Sequence, residues 1–188
     1  TDLFTIEQDG LTLGIVPRAV GASFAVVVAE QLFASGCRLL ISVTSSGQLA
    51  PAKTLPYFVL IERALRDEGT SYHYLPPAAF ADAPDGLIGR LAGAYDDMPV
   101  PVRRGAVWTT DAPYRETEPA LEATRARGLP AVEMSAPALY ALARARNQQG
   151  VCLALVTNQL RLCEGDFDQG PAAARALAHA VFRSHVER

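Results

Sequence analysis

Cysteine is scarce in this sequence: Cys37, Cys152 and Cys163 are the three present, and they lie far apart. That count and spacing argue against a disulfide framework and suggest no metal site, and a reducing cytoplasm is the expected setting. No run of 18 apolar residues occurs, so no membrane-spanning segment is expected. No basic segment followed by an apolar stretch opens the chain, which gives no sign of export. The first residue is Thr1 rather than Met, as after processing, truncation or a chosen expression boundary. An excess of positive charge is also missing: 17 Lys and Arg against 20 Asp and Glu leave a net charge of −3. A nucleic-acid binder would usually carry a basic face, so that class is disfavoured. Internal repeats and low-complexity tracts are absent as well. What is present is ordinary for a globular protein: 49% hydrophobic residues and 20% charged residues in 188 positions. One domain over 1–188 is expected, long enough to bury a sizeable core.

Strands and helices alternate along the chain. Leu11–Val16 reads as a short buried strand before Pro17. Ala22–Ser35 is rich in Ala and Val, holds neither Pro nor Gly, and is followed by Gly36, so it reads as a helix with a glycine stop. Arg38–Thr44 is a nearly continuous apolar run, the pattern of a strand covered on both faces. It is expected to end in the small-residue turn Thr44-Ser45-Ser46-Gly47. Tyr57–Ile61 is a further strand. Asp85–Tyr95 reads as a helix capped by Asp85, with Leu87, Ile88 and Leu91 on one face. Val100–Trp108 is a strand, and Glu116–Arg127 a helix that starts acidic and stops at Gly128. Ala131–Met134 is short and extended. Ala136–Asn147 is a helix that tolerates Pro137 in its first turn. Val151–Thr157 is a strand, and Pro171–His185 a closing helix. Pro76–Pro84 reads as a loop. The alternation predicts an α/β fold with a largely parallel or mixed sheet.

Three apolar strands end in polar tails: Thr44-Ser45-Ser46-Gly47, Thr109-Thr110-Asp111 and Thr157-Asn158-Gln159. In open α/β sheets, ligands sit beyond the carboxyl ends of strands, so parallel strands would bring the tails together. Glu133-Met134-Ser135 falls at a strand-to-helix junction, where a carboxylate can accept sugar hydroxyls and a methionine offers an apolar floor. Ser, Thr, Asn and Asp also serve as turn and cap residues, so each tail taken alone carries either meaning.

Four segments in order settle on a family. RALRDEGTSYHYLPP (63–77), WTTDAPYRET (108–117), AVEMSAPALYALA (131–143) and LALVTN (153–158) resemble the patterns airdeGtsyhYlp, TTDapYRE, VEMEaaaL and vSD or vxN. These belong to the purine nucleoside/uridine phosphorylase superfamily, of which the chain looks like a divergent member. The resemblance implies a three-layer α/β/α sandwich with a mixed central sheet. It implies assembly as a homo-oligomer, a dimer or hexamer among the usual forms, with sites near subunit interfaces. The implied reaction is cleavage of an N-glycosidic bond by phosphate, or by water in the related nucleosidases. The transition state is oxocarbenium-like, so electrostatic preorganisation around sugar and base is the expected main contribution.

Carried over residue by residue, the resemblance assigns Glu133 and Met134 to the ribose pocket. Ser135 stands where a second glutamate commonly grips the ribose hydroxyls. The phosphate turn, commonly R-x-G-[ST]-x-G, corresponds to Ser42–Gly47: Thr44, Ser45 and Gly47 would hold phosphate, while Ser42 replaces the arginine. Asn158 lies where many members carry the acid that protonates a purine, and an amide can hydrogen-bond the base but not act as that acid. Asn158 and Arg115 are therefore the expected catalytic pair. Thr110, Tyr114 and Arg115 form a wall of the base pocket, with Tyr114 stacking and Asp111 ordering the turn. Arg115 could equally pair with Glu118 at the helix entry. His73 is expected near the sugar 5′-hydroxyl, or as a satisfied histidine on a half-buried strand. His179 and His185 read as surface residues. The family's first strand with its Gly-Asp-Pro phosphate loop has no match, because the chain starts too late for it. Arg18, Arg66 or Arg115 would then have to supply phosphate charge.

The expected function is a nucleoside phosphorylase, a pentosyltransferase of purine or pyrimidine salvage in the cytoplasm. It would act on a nucleoside and inorganic phosphate, with no metal or organic cofactor, no nucleic acid and no membrane as partners. The alternatives are a nucleosidase, favoured by Ser42, and a degenerate non-catalytic nucleoside- or base-binding member, favoured by Ser42, Ser135 and Asn158 together. The identity of the base is not legible.

Overall fold

The computed structural model describes every residue except Thr1, Asp9, 51–53, Ala92, Asp97 and 160–188. Strands β1 (Phe4–Gln8) and β2 (Leu11–Ile15) form an antiparallel hairpin. Helix α1 (Ala22–Ala34) follows, and the chain leaves it through Gly36 at φ +96°, a conformation that suits glycine. Six strands then build one mixed sheet: β3 (Leu39–Gln48), β4 (Tyr57–Asp67), β5 (Phe80–Asp82), β6 (Val102–Thr110), β7 (Ala131–Glu133) and β8 (Gln149–Gln159). Their spatial order is β5-β4-β6-β7-β3-β8. Between them lie helices α2 (Leu87–Arg90), α3 (Glu118–Ala126) and α4 (Ala136–Arg146).

The layering follows from side-chain alternation along the strands. Ala64, Val107 and Ala131 face one core, with α1 and α4 residues Ala22, Ala25, Ala29, Leu139 and Leu142. Their chain neighbours Leu65, Trp108 and Val132 face a second core, with Leu121 of α3 and with Leu49 and Leu129. Helices thus cover both faces, and the architecture is the expected α/β/α sandwich around a mixed sheet. Helix α4 is buried from Ala136 to Ala143, and its small residues let α1 pack closely against it.

The sheet also closes on itself. Strand β4 pairs antiparallel with β8 from Tyr57↔Val156 to Leu60↔Leu153. One step further, where Ile61 would meet Cys152, the strands part. There the buried Tyr140 hydroxyl of α4 donates to the Ile61 carbonyl at 2.5 Å and accepts from the Cys152 N–H at 3.1 Å. The hydroxyl satisfies both backbone groups that the ladder has released. Beyond that point the same edge of β4 takes up β5.

Several elements differ from the sequence reading. The Thr44–Gly47 segment is not a turn: β3 runs through it to Gln48, because Gly47 and Gln48 still pair with both β7 and β8. Strand β4 continues past Ile61 to Asp67, held by β6 and β5. The helix expected over Asp85–Tyr95 shrinks to Leu87–Arg90, because Gly86 takes φ +74° and Gly93 φ +83°, which bracket it. Gly86, not Asp85, is its capping position. The Pro76–Pro84 loop contains β5. Gly128 at φ +72° does follow α3, and Pro137 does sit in the first turn of α4. The closing helix, Cys163, His179 and His185 lie outside the described residues.

Candidate functional site

The three polar tails meet, but not from one direction. Strands β3 and β8 run parallel, β6 and β7 run parallel, and β7 runs antiparallel to β3. The tail of β6 therefore arrives opposite those of β3 and β8, and three-residue β7 bridges them. Read across the sheet, Trp108 pairs with Val132, Val132 with Gly47, and Gly47 with Asn158. The register slips between Ser46 and Gly47, a bulge that sets Gly47 opposite Asn158 and skips Thr157. Bulges re-aim side chains and are frequent beside functional sites. Ser46 ties the arrangement together, its Oγ donating to the Val132 carbonyl at 2.5 Å.

Glu133 ends β7 and sits under the N-terminus of α4. It is buried, and its carboxylate is fully engaged. Oε1 accepts from the Thr109 hydroxyl and from the Ala136 N–H at 3.1 Å. Oε2 accepts from the Ser135 N–H at 2.7 Å, the Ala136 N–H at 3.0 Å and the Ser135 hydroxyl at 3.1 Å. A carboxylate at a helix N-terminus satisfies amides that have no partner within the helix. Burial pushes the Glu133 carboxyl above the ordinary carboxylate range, against the pull of the Thr109, Ser135 and Ala136 hydrogen bonds. The anion-accepting start of α4 is thus already filled by the chain's own carboxylate. Glu133 holds β6, β7 and α4 together and presents Met134, which is half-buried, and Ser135, which is buried.

The phosphate-turn residues are strand residues here. Ser45 is exposed, Thr44 half-buried and Gly47 buried. Asn158 is half-buried on β8. Beside it lies a polar network that the sequence reading missed. Tyr57 donates to Gln48 Oε1 at 3.0 Å, Gln48 Nε2 donates to Gln159 Oε1 at 2.7 Å, and Gln159 Nε2 donates to the Gln48 carbonyl at 3.2 Å. The signal was a glutamine directly after the first tail, Gln48, and another closing the third, Gln159.

The β6 tail leads into the turn Pro113–Arg115. Thr110 is buried, and its Oγ1 accepts from the Ala112 N–H at 3.1 Å, so it shapes the turn. Tyr114 projects fully into solvent, and Arg115 is exposed with no ion pair to a described residue. Glu118 takes its ion pair from Arg125 at 2.9 Å. Asp111, expected to order this turn, reaches across to the neighbouring one, its Oδ2 accepting from the Gly69 N–H at 2.9 Å. His73 is exposed at the end of the short turn Thr70–His73, not on a strand. Of the cations considered for phosphate, Arg66 is buried and turned inward. It donates to Ser71 Oγ at 2.7 Å and to the carbonyls of Pro76 at 2.8 Å and Leu75 at 3.3 Å. Arg18 is exposed at φ +62° on the segment after β2. Among the described residues no group of three His, Cys, Asp or Glu side chains could hold a metal ion, and no helix is long and apolar enough to cross a membrane.

Comparison with known proteins shows the family. The chain is 26% identical over 155 residues to a guanosine phosphorylase of Halorubrum lacusprofundi, a match covering 82% of this chain and 64% of the relative. It is 28% identical over 188 residues to a DeoD-type purine nucleoside phosphorylase of Myxococcus xanthus, covering 94% of this chain and 78% of the relative. The sequence profile of the phosphorylase superfamily matches residues 2–185, nearly the whole length. The chain belongs to the phosphorylase superfamily.

Proposed function

We propose that the protein is a nucleoside phosphorylase, a pentosyltransferase that cleaves the N-glycosidic bond of a purine nucleoside with inorganic phosphate. The observation that carries this reading is the row Trp108–Val132–Gly47–Asn158, bulged at Gly47, in a member of this superfamily. The names of the two relatives, both purine-directed, favour a purine over a pyrimidine nucleoside. In this reading Met134 and Ser135 line the sugar, and Glu133 positions them. Asn158 hydrogen-bonds the base, Tyr114 stacks on it, and Arg115 stabilises charge that builds on it as the bond breaks. Thr44, Ser45 and Gly47 form the phosphate side, and His73 approaches the sugar hydroxyls of a bound nucleoside. Phosphate is the co-substrate, without a metal or organic cofactor. The protein works in the cytoplasm as a dimer or hexamer, and exposed Tyr114, Arg115 and His73 gain their enclosure there.

A second reading, hydrolysis by water, has a specific observation in its favour: Ser42 stands in place of the family's arginine, and Arg66 is committed to Ser71, Leu75 and Pro76. A nucleoside panel analysed by chromatography, with and without phosphate, separates the two. Phosphate-dependent base release is expected. Release without phosphate would establish the nucleosidase. No release, with nucleoside still bound, would point to a non-catalytic binding member.

A further inference from the structure

Strands β4 and β6 run parallel and end in step, with Arg66 opposite Thr109 and Asp67 opposite Thr110. Each then enters a short helical turn: Thr70–His73 after β4, Pro113–Arg115 after β6. Three hydrogen bonds cross between the two exits. The Trp108 indole N–H donates to Asp67 Oδ2 at 3.0 Å. The Asp111 N–H donates to the Asp67 carbonyl at 3.3 Å, and the Gly69 N–H returns to Asp111 Oδ2 at 2.9 Å.

The two turns are held very differently. The first is fixed from within. Ser71 N–H donates to Glu68 Oε2 at 2.9 Å, Arg66 Nε donates to Ser71 Oγ, and the Tyr72 hydroxyl donates to the Arg66 carbonyl at 3.1 Å. The Arg66 guanidinium also lies 4.0 Å from the centre of the Tyr72 ring. The second turn carries Tyr114 and Arg115 in open solvent, and its tie to the neighbouring turn runs through Asp111.

We propose that Asp111 is a positioning residue that latches the Tyr114–Arg115 turn to the rigid Thr70–His73 turn, so that both approach the nucleoside as one body. The proposal rests on the nucleoside reading above, and it adds a residue that never touches substrate. A carboxylate is not required for its chemistry. An acceptor oxygen at the right place is, so Asp111→Asn preserves the latch and Asp111→Ala removes it.

The test has an arm with substrate and an arm without. In the purified full chain, Asp111→Ala is expected to raise KM for the nucleoside about fivefold, the size of one hydrogen bond. It should leave KM for phosphate within about twofold, because a local hydrogen bond reaches only its own side of the site. Asp111→Asn should behave like wild type. Without substrate, trypsin cleavage after Arg115, followed by mass spectrometry, should run about fivefold faster in Asp111→Ala, because the freed turn opens more often. Trp108 is the one tryptophan, and its unchanged emission would show that the β6 end is intact. If the wild type neither cleaves nor binds any nucleoside, the functional reading fails while the trypsin arm still judges the latch. Equal trypsin rates in wild type and Asp111→Ala would overturn the latch. So would a joint rise of both KM values, which means general loosening. Failure of Asp111→Asn to rescue would mean that the charge itself acts.

Discussion

Glu133 and Arg115 sit at the two ends of the segment that joins β6 to α4, and their charges meet opposite fates. The Glu133 carboxylate is buried under five hydrogen-bond contacts, all from protein donors. The Arg115 guanidinium is in solvent and pairs with no described residue. A charge surrounded by its own chain has been used for architecture, whereas a charge left open is available to a ligand or a neighbouring subunit. Both belong to motifs that point to the same pocket, so motif membership does not separate framework from chemistry. The hydrogen-bond partners do.

That contrast can be broken experimentally. Glu133→Ala should have the largest effect, since it strands the Thr109 hydroxyl and the Ser135 and Ala136 amides in a buried place. A loss of roughly 3 kcal/mol in urea denaturation is expected, and a variant as stable as wild type would make Glu133 a ligand residue after all. Arg115→Ala should be the mirror image. A charged hydrogen-bond donor is worth about 1.5–3 kcal/mol, so nucleoside KM should rise at least about tenfold with unfolding midpoint unchanged. A falling midpoint would make Arg115 structural. The pH dependence of stability sharpens the difference further. Because burial raises the Glu133 carboxyl in the folded state, its contribution is fully present below the ordinary carboxyl range and is lost as pH rises through the folded value. Stability should therefore decline across that window, and Glu133→Gln, although less stable, should lack the decline. The smallest effect belongs to Arg146→Ala at the exposed pair with Glu30, at about 0.5 kcal/mol or less.

Much of the fold was legible because its signals are local. Gly36 and Gly128 do stop their helices, and Pro137 does lie in a first turn. The segments WTTDAPYRET and AVEMSAPALYALA identified the superfamily. What was not legible depends on partners distant in the chain. Small polar residues at Thr44–Gly47 look like a turn, yet β7 and β8 hold them in a strand. The charged residues Glu62, Arg63, Arg66 and Asp67 hide a strand that β5 and β6 extend. Glu133 reads as a sugar ligand because its pattern does not show that the Ser135 and Ala136 amides fold back onto it. Arg66 likewise offers charge in the sequence but spends it on Ser71, Leu75 and Pro76.

The Tyr140 hydroxyl, set where β4 leaves β8, has a kinetic meaning. The pairing it terminates joins Leu60 to Leu153, among the longest closures in the chain, and such contacts are slow to form. Tyr140 lies on α4, after β4 and just before β8 in the chain, so a contact between Tyr140 and Ile61 needs no part of β8. Tyr140→Phe is therefore expected to slow folding more than it speeds unfolding, and a folding rate equal to that of wild type would leave this oxygen outside the folding nucleus.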